Sequence, residues 1–284
     1  MGNYRKILVA FDGSESSRNA LRQAIKLAQV EKSWIKVLAV VPSYEGELDL
    51  TGVKNIREVL KGPAAKLLSE AEEIAKAEGA TIITGVEQGK AYERIVDVAD
   101  AENCDLIVMG RRGLHRLERM LMGSVTARVI GHASRDVLVV PRDASIGWKN
   151  ILLATDGSKY SETALEHAVN FATAYGGELT AISVVDVNDE FYAQAPQLVD
   201  QMVEKSKTVL EEAANKAKAA GVKAETFIKE GDVHIKIVEL AEEKKVDIIF
   251  MGSHGRTGLK RLLMGSVTEK VIGLSHCPVL VVKS

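Results

Sequence analysis

Two loops spelled almost alike carry the residues best suited to holding a ligand. The later one runs Gly252-Ser253-His254-Gly255, then nine residues, then Gly265-Ser266-Val267-Thr268. The earlier one runs Gly110-Arg111-Arg112-Gly113, then nine residues, then Gly123-Ser124-Val125-Thr126. Each follows an apolar run, Val246 to Met251 or Leu106 to Met109, and precedes a helix-forming segment. The order in both is therefore strand, glycine loop, helix start. Glycine permits positive φ and lets another group come close to the main chain. Ser124 and Ser266 stand where an N-cap belongs, and the N–H groups of a first helical turn favour phosphate or carboxylate. The plainer alternative is a tight turn and a cap with nothing bound.

A second pair of motifs supplies an acid. Asp12-Gly13-Ser14, followed by Ser17, Ala20, Leu21 and Ala24, returns as Asp156-Gly157-Ser158 with Ser161, Ala164, Leu165 and Ala168, 144 residues later. Asp-Gly-Ser after a strand is commonly only a turn and helix cap. With a glycine loop beside it, the same aspartate can accept from ribose hydroxyls or help hold a cation carried by phosphates. Val40 and Val184, near the ends of the second strands, can offer backbone groups to a base edge. A nucleotide satisfies all three. The loop is not a Walker A sequence, having no Gly-Lys-Ser/Thr ending, and no GxGxxG follows the first strand. Other chemistry finds little support. His115, His132, His167, His234, His254 and His276 form no i,i+4 pair or HExxH motif, so no intrinsic metal site is expected, and no G-x-S-x-G elbow is present. Arg111, Arg112, Arg119, Arg256, Lys260 and Arg261 also fit a solvated face, and Leu117, Met120 and Leu121 a core.

The elements that must position these loops follow from apolar periodicity. Lys6 to Phe11, Trp34 to Val41, Thr81 to Val86, Leu106 to Met109 and Val137 to Val140 read as strands. Helices are expected between them, capped at the start by Ser16 or Ser17, closed at Gly79, kinked or restarted at Gly62-Pro63, and including Ala91 to Ala101 and Ser124 to Ala133. Pro141 to Gly147 is a short connector, and Lys149 to Ala154 begins the whole series again. The repeat offset is 144 residues up to the second strand and 142 from Gly79/Gly221 onward. A net two-residue difference must lie between, where Pro42 to Lys61 and Asp186 to Pro196 resemble each other least. The irregular segment Ser43 to Asn55 belongs to that stretch. Two domains are expected, 1–143 and 144–284.

Alternating strands and helices predict an α/β fold with a parallel sheet covered on both faces. Asp12 and Gly110 both follow strands, and they share a site only if strands one and four are neighbours. Right-handed crossovers allow this in the order 3-2-1-4-5, where the winding reverses and a crevice opens. The apolar fifth strands are edges that need covering, so the two halves are expected to pair through them, and a further homodimer of chains is possible.

Composition limits the function classes. With 46% hydrophobic and 27% charged residues and a net charge of −2, no global positive field draws the chain to nucleic acid or an acidic membrane. The start Met1-Gly2-Asn3-Tyr4 leads straight into a strand without the apolar core of a secretory signal, and no run approaches a membrane span, so a cytoplasmic protein is expected. Cys104 and Cys277 are single and far apart, which suits small buried apolar residues rather than a disulfide or zinc framework.

Gly-x2-Gly-x9-Gly-Ser after the fourth strand, together with Asp-Gly-Ser after the first, resembles the universal stress protein family in its tandem two-domain form. The resemblance covers essentially the whole chain and is better in the second half. It implies two flavodoxin-like doubly wound domains that bind ATP or another adenine nucleotide, with Mg2+ or Mn2+ on the phosphates. Carried over, the implied nucleotide-binding residues are Asp12, Val40, Gly110, Gly113, Gly123, Ser124 and Val125 in the first half. In the second they are Asp156, Val184, Gly252, Gly255, Gly265, Ser266 and Val267. The first half departs from the pattern: Arg116 stands for Gly258, and Arg111-Arg112 for Ser253-His254, arginines that can instead clamp a triphosphate. Both halves are expected to bind, the second more tightly. The favoured function is a stress-response or regulatory protein. The alternatives are a slow ATPase or adenylyl-handling enzyme on the same fold, and a scaffold with vestigial sites.

Overall fold

Short runs such as Lys6-Ile-Leu-Val-Ala10 and Leu106-Ile-Val-Met-Gly110 have too few polar side chains to face water on either side, and they become central strands. The first half contains β1 (Lys6–Ala10), β2 (Trp34–Val41), β3 (Ile83–Gln88), β4 (Leu106–Gly110) and β5 (Asp136–Val140), with α1 (Glu15–Glu31), α2 (Ile56–Ala77), α3 (Ala91–Ala101) and α4 (Ser124–His132). The second half contains β6 (Asn150–Ala154), β7 (Glu178–Val185), β8 (Ala224–Glu230), β9 (Ile248–Gly252) and β10 (Val279–Val282). Its helices are α5 (Lys159–Tyr175), α6 (Asp189–Gln194), α7 (Pro196–Ala219), α8 (Val233–Glu243) and α9 (Ser266–Leu274). The computed structural model describes residues 4–43, 56–112, 122–255 and 264–283. Gly113, His115, Arg116, Leu117, Arg119, Met120 and Leu121 lie outside the described residues, as do Arg256, Gly258, Lys260, Arg261 and the segment 44–55.

One sheet of ten strands runs β3-β2-β1-β4-β5-β10-β9-β6-β7-β8, so each half has the order 3-2-1-4-5. All pairings within a half are parallel. The halves meet where β5 and β10 pair antiparallel, Val139 opposite Val279, Leu138 opposite Leu280 and Val137 opposite Val281. Side chains alternate across the sheet. On one face Val9, Val108, Leu138, Leu280 and Phe250 pack under α1 and α5. On the other Leu8, Ile107, Val139, Val281 and Met251 pack under α3, α4, α8 and α9.

Several boundaries differ from the sequence expectation. The third strand begins at Ile83 and runs to Gln88, and the fifth gains Asp136. The second half opens at Asn150 rather than Lys149, and α4 stops at His132. Helix α2 passes through Gly62 and Pro63 as a single element. Its end matches Gly79, which sits at φ +67 while the Ala80 N–H reaches back 2.8 Å to the Ala75 carbonyl. The cap of α1 is Ser14, not Ser16 or Ser17: its hydroxyl accepts from the Ser17 N–H at 3.2 Å. Ser17 faces inward instead and returns its hydroxyl to the Ser14 carbonyl. In the least similar stretch the second half forms a short helix, α6, capped by Asn188, which nothing in the apolar pattern announced. No helix among the described residues is long and apolar enough to cross a membrane.

Candidate functional site

Strands β1 and β4 lie side by side, Ile7 opposite Leu106 and Val9 opposite Val108. Helix α1 leaves β1 over one face and α4 leaves β4 over the other, so the layer above the sheet parts at their carboxyl ends. The gap is a cavity of 490 Å3, within the usual range for a small-molecule site. Asp12, Val40, Gly110, Gly123, Ser124 and Val125 all line it, together with Arg112, Thr126 and the apolar Leu67 and Ile95. Of the first-half candidates only Gly113 cannot be placed, since it lies outside the described residues.

The acid wall is built by local chemistry. Asp12 Oδ1 accepts from the Ser14 N–H at 3.0 Å, and Asp156 Oδ1 from the Ser158 N–H at 3.0 Å, which turns the chain into the helix. Gly13 lies at φ +76, a conformation that favours glycine, and a Cβ there would come within 2.5 Å of Leu67 Cδ2, the movable end of that side chain. Across the crevice in the second half, a Cβ on Gly255 would stand 3.0 Å from Asp156 Oδ2. Acid and glycine loop thus face each other directly.

The loop glycines serve different ends. A Cβ on Gly110 would meet the Ser16 carbonyl carbon at 2.7 Å, and one on Gly252 the Tyr160 Cβ at 2.7 Å. These two are glycine because the first turn of α1 or α5 packs onto the strand end. Gly123 and Gly265 are different again. They, not Ser124 and Ser266, are the N-caps of α4 and α9, at extended φ of −72 and −67, and neither helix has a side-chain cap. The serines are the first helical residues, and both are exposed. Among the described residues no atom lies nearer than 3.5 Å to the Cβ position of Gly265, and its φ is one that any residue adopts. The first-turn N–H groups at this end are left for something other than an N-cap side chain. Thr126 and Thr268, the last residues of the repeated Gly-Ser-Val-Thr, donate their hydroxyls to the Gly110 and Gly252 carbonyls at 3.0 Å and fix the helix to the strand end. Their recurrence at the same place in both loops was the available signal for this role.

The second strands close the third side. In each half the last bond from the first strand reaches Leu38 or Ile182, whose carbonyl accepts from Phe11 or Thr155 at 2.9 Å. Backbone groups two residues on point the same way in a strand. The amide and carbonyl of Val40 and Val184 therefore face beyond the end of β1 and β6. The neighbouring Val41 and Val185 carbonyls turn the other way and accept from Gly89 and Gly231.

The two arginines of the first loop divide. Arg112 lines the cavity. Arg111 turns away from it and donates to the carbonyls of Ile272, Gly273 and Ser275 at 3.5, 3.1 and 2.7 Å, so of the two arginines expected to be able to clamp a triphosphate, Arg111 is engaged elsewhere. Burial, and then Arg112 beside it, lowers the Arg111 guanidinium below its ordinary pKa. In the second loop Ser253 is buried, with its hydroxyl 3.1 Å from His254 Nδ1, and the His254 ring rests 5.2 Å from that of Tyr160. No group of three or more His, Cys, Asp or Glu side chains suited to a metal ion occurs among the described residues. Burial pushes the Cys277 thiol up to about 11, and the Cys104 thiol is raised for the same reason, which leaves both poor nucleophiles.

A doubly wound parallel sheet that occurs twice in one chain, with a ligand-sized crevice at the switch point of the first half, defines the class. The Universal stress protein family profile matches residues 3–141 and again 147–283, and the chain belongs to that family. A universal stress protein of Mycolicibacterium smegmatis is 27% identical over 292 residues, spanning 98% of this chain and 96% of the relative. One from Methanocaldococcus jannaschii is 44% identical over 140 residues, 48% of this chain and 82% of the relative. The crystal structure of a universal stress protein from Archaeoglobus fulgidus superposes with a TM-score of 0.76 at 26% identity, covering 99% of this chain and 97% of that one.

Proposed function

We propose that each half, 1–143 and 144–284, holds one adenine nucleotide in its crevice, and that the protein acts by nucleotide-dependent regulation rather than rapid turnover. In this reading Asp12 and Asp156 accept from the ribose hydroxyls. The backbone groups of Val40 and Val184 meet the adenine edge. Gly110 and Gly113 with Gly123, Ser124 and Val125, and Gly252 and Gly255 with Gly265, Ser266 and Val267, receive the phosphates. A divalent ion would arrive with the phosphates, since the described side chains form no separate cage. The second half is the tighter site: Arg116 replaces Gly258 in the first.

The observation that carries this proposal is the glycine N-cap. Asn, Asp or Ser at an N-cap with this ordinary φ stabilises a helix, and at Gly265 the described residues leave ordinary van der Waals room for one. Leaving the cap bare keeps the helix N-terminus available to an external anion. Gly265→Asp and Gly123→Asp test it by ATP calorimetry and thermal melting. Each variant should lose the site in its own half, while its melting temperature holds or rises because Asp caps the helix and complements its dipole. Two intact sites in both variants would sink the proposal, and loss of tight binding only in Gly123→Asp would reverse the ranking.

A further inference from the structure

Arg111 occupies a junction with three arms. Its N–H donates to the Val140 carbonyl at the end of β5, at 2.9 Å. Its carbonyl accepts from the N–H of Gly123, the N-cap of α4, also at 2.9 Å. Its guanidinium crosses into the other half and holds the carbonyl end of α9 through Ile272, Gly273 and Ser275. The residues on either side of it, Gly110 and Arg112, both line the first cavity. Helix α9 carries Ser266 and Val267 of the second crevice at its opposite end, only nine residues away. The backbone of Arg111 thus fixes the helix start of one crevice while its side chain fixes the helix that opens onto the other.

The equivalent position in the second half does not repeat this. Ser253 keeps the two backbone bonds, to Val282 and from Gly265, but its short buried side chain stays at His254. The carbonyl end of α4 is held instead by Lys283, whose ammonium meets the Ile130 carbonyl and whose N–H is bound to Asp136. Both C-terminal helices are therefore capped by a cation from the opposite half, as the exposed carbonyls of a helix end favour. Only at Arg111 does that cation belong to a crevice loop.

We infer that Arg111 couples the two crevices, so that a ligand in the first strengthens binding in the second. The inference rests on the nucleotide reading above. A ligand that orders residues 110–112 and the α4 cap also fixes the stem of the Arg111 side chain. The guanidinium then holds α9, a rod of roughly 13 Å, in the position its first turn needs for the second anion. The ordering cost is met once for both sites, which gives positive cooperativity. The contact does not repeat by symmetry, but the coupling free energy acts in both directions.

A double-mutant cycle on the full chain tests this with ATP and magnesium as the probe. The second-crevice Kd is measured in the wild type, Gly123→Asp, Arg111→Ala and the double variant. Gly123→Asp should weaken the second crevice about fivefold or more where Arg111 is present, and less than about twofold where it is absent. Equal shifts in both backgrounds, or no shift in the first, overturn the inference. A ligand-free measurement separates its failure from failure of the nucleotide reading. Without nucleotide, Arg111→Ala should speed amide exchange at the α9 start, residues 267–269, as well as at its end. Acceleration confined to residues 272–276 shows a local cap and overturns the coupling, whether or not ATP binds.

Discussion

Asp156 combines a structural and a chemical task within one carboxylate. Oδ1 makes the turn by accepting from Ser158, while Oδ2 looks across the crevice to Gly255. Asp156→Asn keeps an oxygen for the turn and removes the charge, whereas Asp156→Ala removes both. The Ala variant should lose about 1 kcal/mol of stability in urea, the worth of one hydrogen bond, and the Asn variant much less. ATP affinity should fall roughly tenfold in each, as expected when a charged acceptor is withdrawn. Wild-type affinity in the Asn variant would leave Asp156 as a turn residue only. The pairing of Asp-Gly-Ser with a glycine loop could be read from residue types, because each motif is local and occurs twice. The separate reasons for the glycines could not. Gly110 is required by Ser16 and Gly252 by Tyr160, neighbours that only the folded chain supplies.

At the scale of elements, the joint between the halves holds a buried acid. Asp136 opens β5 and accepts from the Tyr4 hydroxyl at 3.0 Å, the Lys283 N–H at 2.9 Å and His167 Nδ1 of α5 at 3.0 Å. The hydrogen bond to Asp136 raises the His167 pKa against an opposing effect of burial, and Glu166 adds to the rise. A histidine raised in the folded state stabilises fully below its unfolded value and loses that contribution as pH climbs through the folded one. Urea stability should therefore decline as pH rises from about 6.5, and His167→Gln should flatten that part of the profile. The amplitude should stay below about 1 kcal/mol, since the imidazole is 36% exposed and screened by solvent. An unchanged profile in the variant would assign the decline to another group. Nothing in the apolar pattern hinted at this pair, since α5 and β5 lie in different repeats. The strands themselves were legible, because runs buried on both faces have few alternatives. Helix α6 was not: it is short, capped by a single Asn, and lies where the repeats diverge.

For the whole molecule, the continuous sheet matters more than the division into two repeats. Leu138 and Val140 share one core with Leu280 and Val282, while Val137 and Val139 share the other with Val279 and Val281. Opening one half therefore exposes apolar surface of its neighbour. Scanning calorimetry should show a single transition whose calorimetric and van't Hoff enthalpies agree. Leu280→Ala, at the centre of the β5–β10 joint, should cost about 2–5 kcal/mol and lower both halves together. Two separated transitions would show that the joint does not unite them.

The alternation of strand and helix, the doubling of the unit, and the meeting of an acid with a glycine loop were all determined by the amino-acid sequence. Each is written in local apolar spacing or in motifs repeated at a constant offset, and crossover handedness limits how such units can pack. The tertiary structure alone decided that the helix caps are Gly123 and Gly265 rather than the serines beside them, because a cap is a matter of φ, ψ and one hydrogen bond. It alone sent Arg111 to a carbonyl 164 residues further on and His167 to Asp136. Those contacts join groups whose neighbourhood exists only after the sheet has brought the two halves edge to edge.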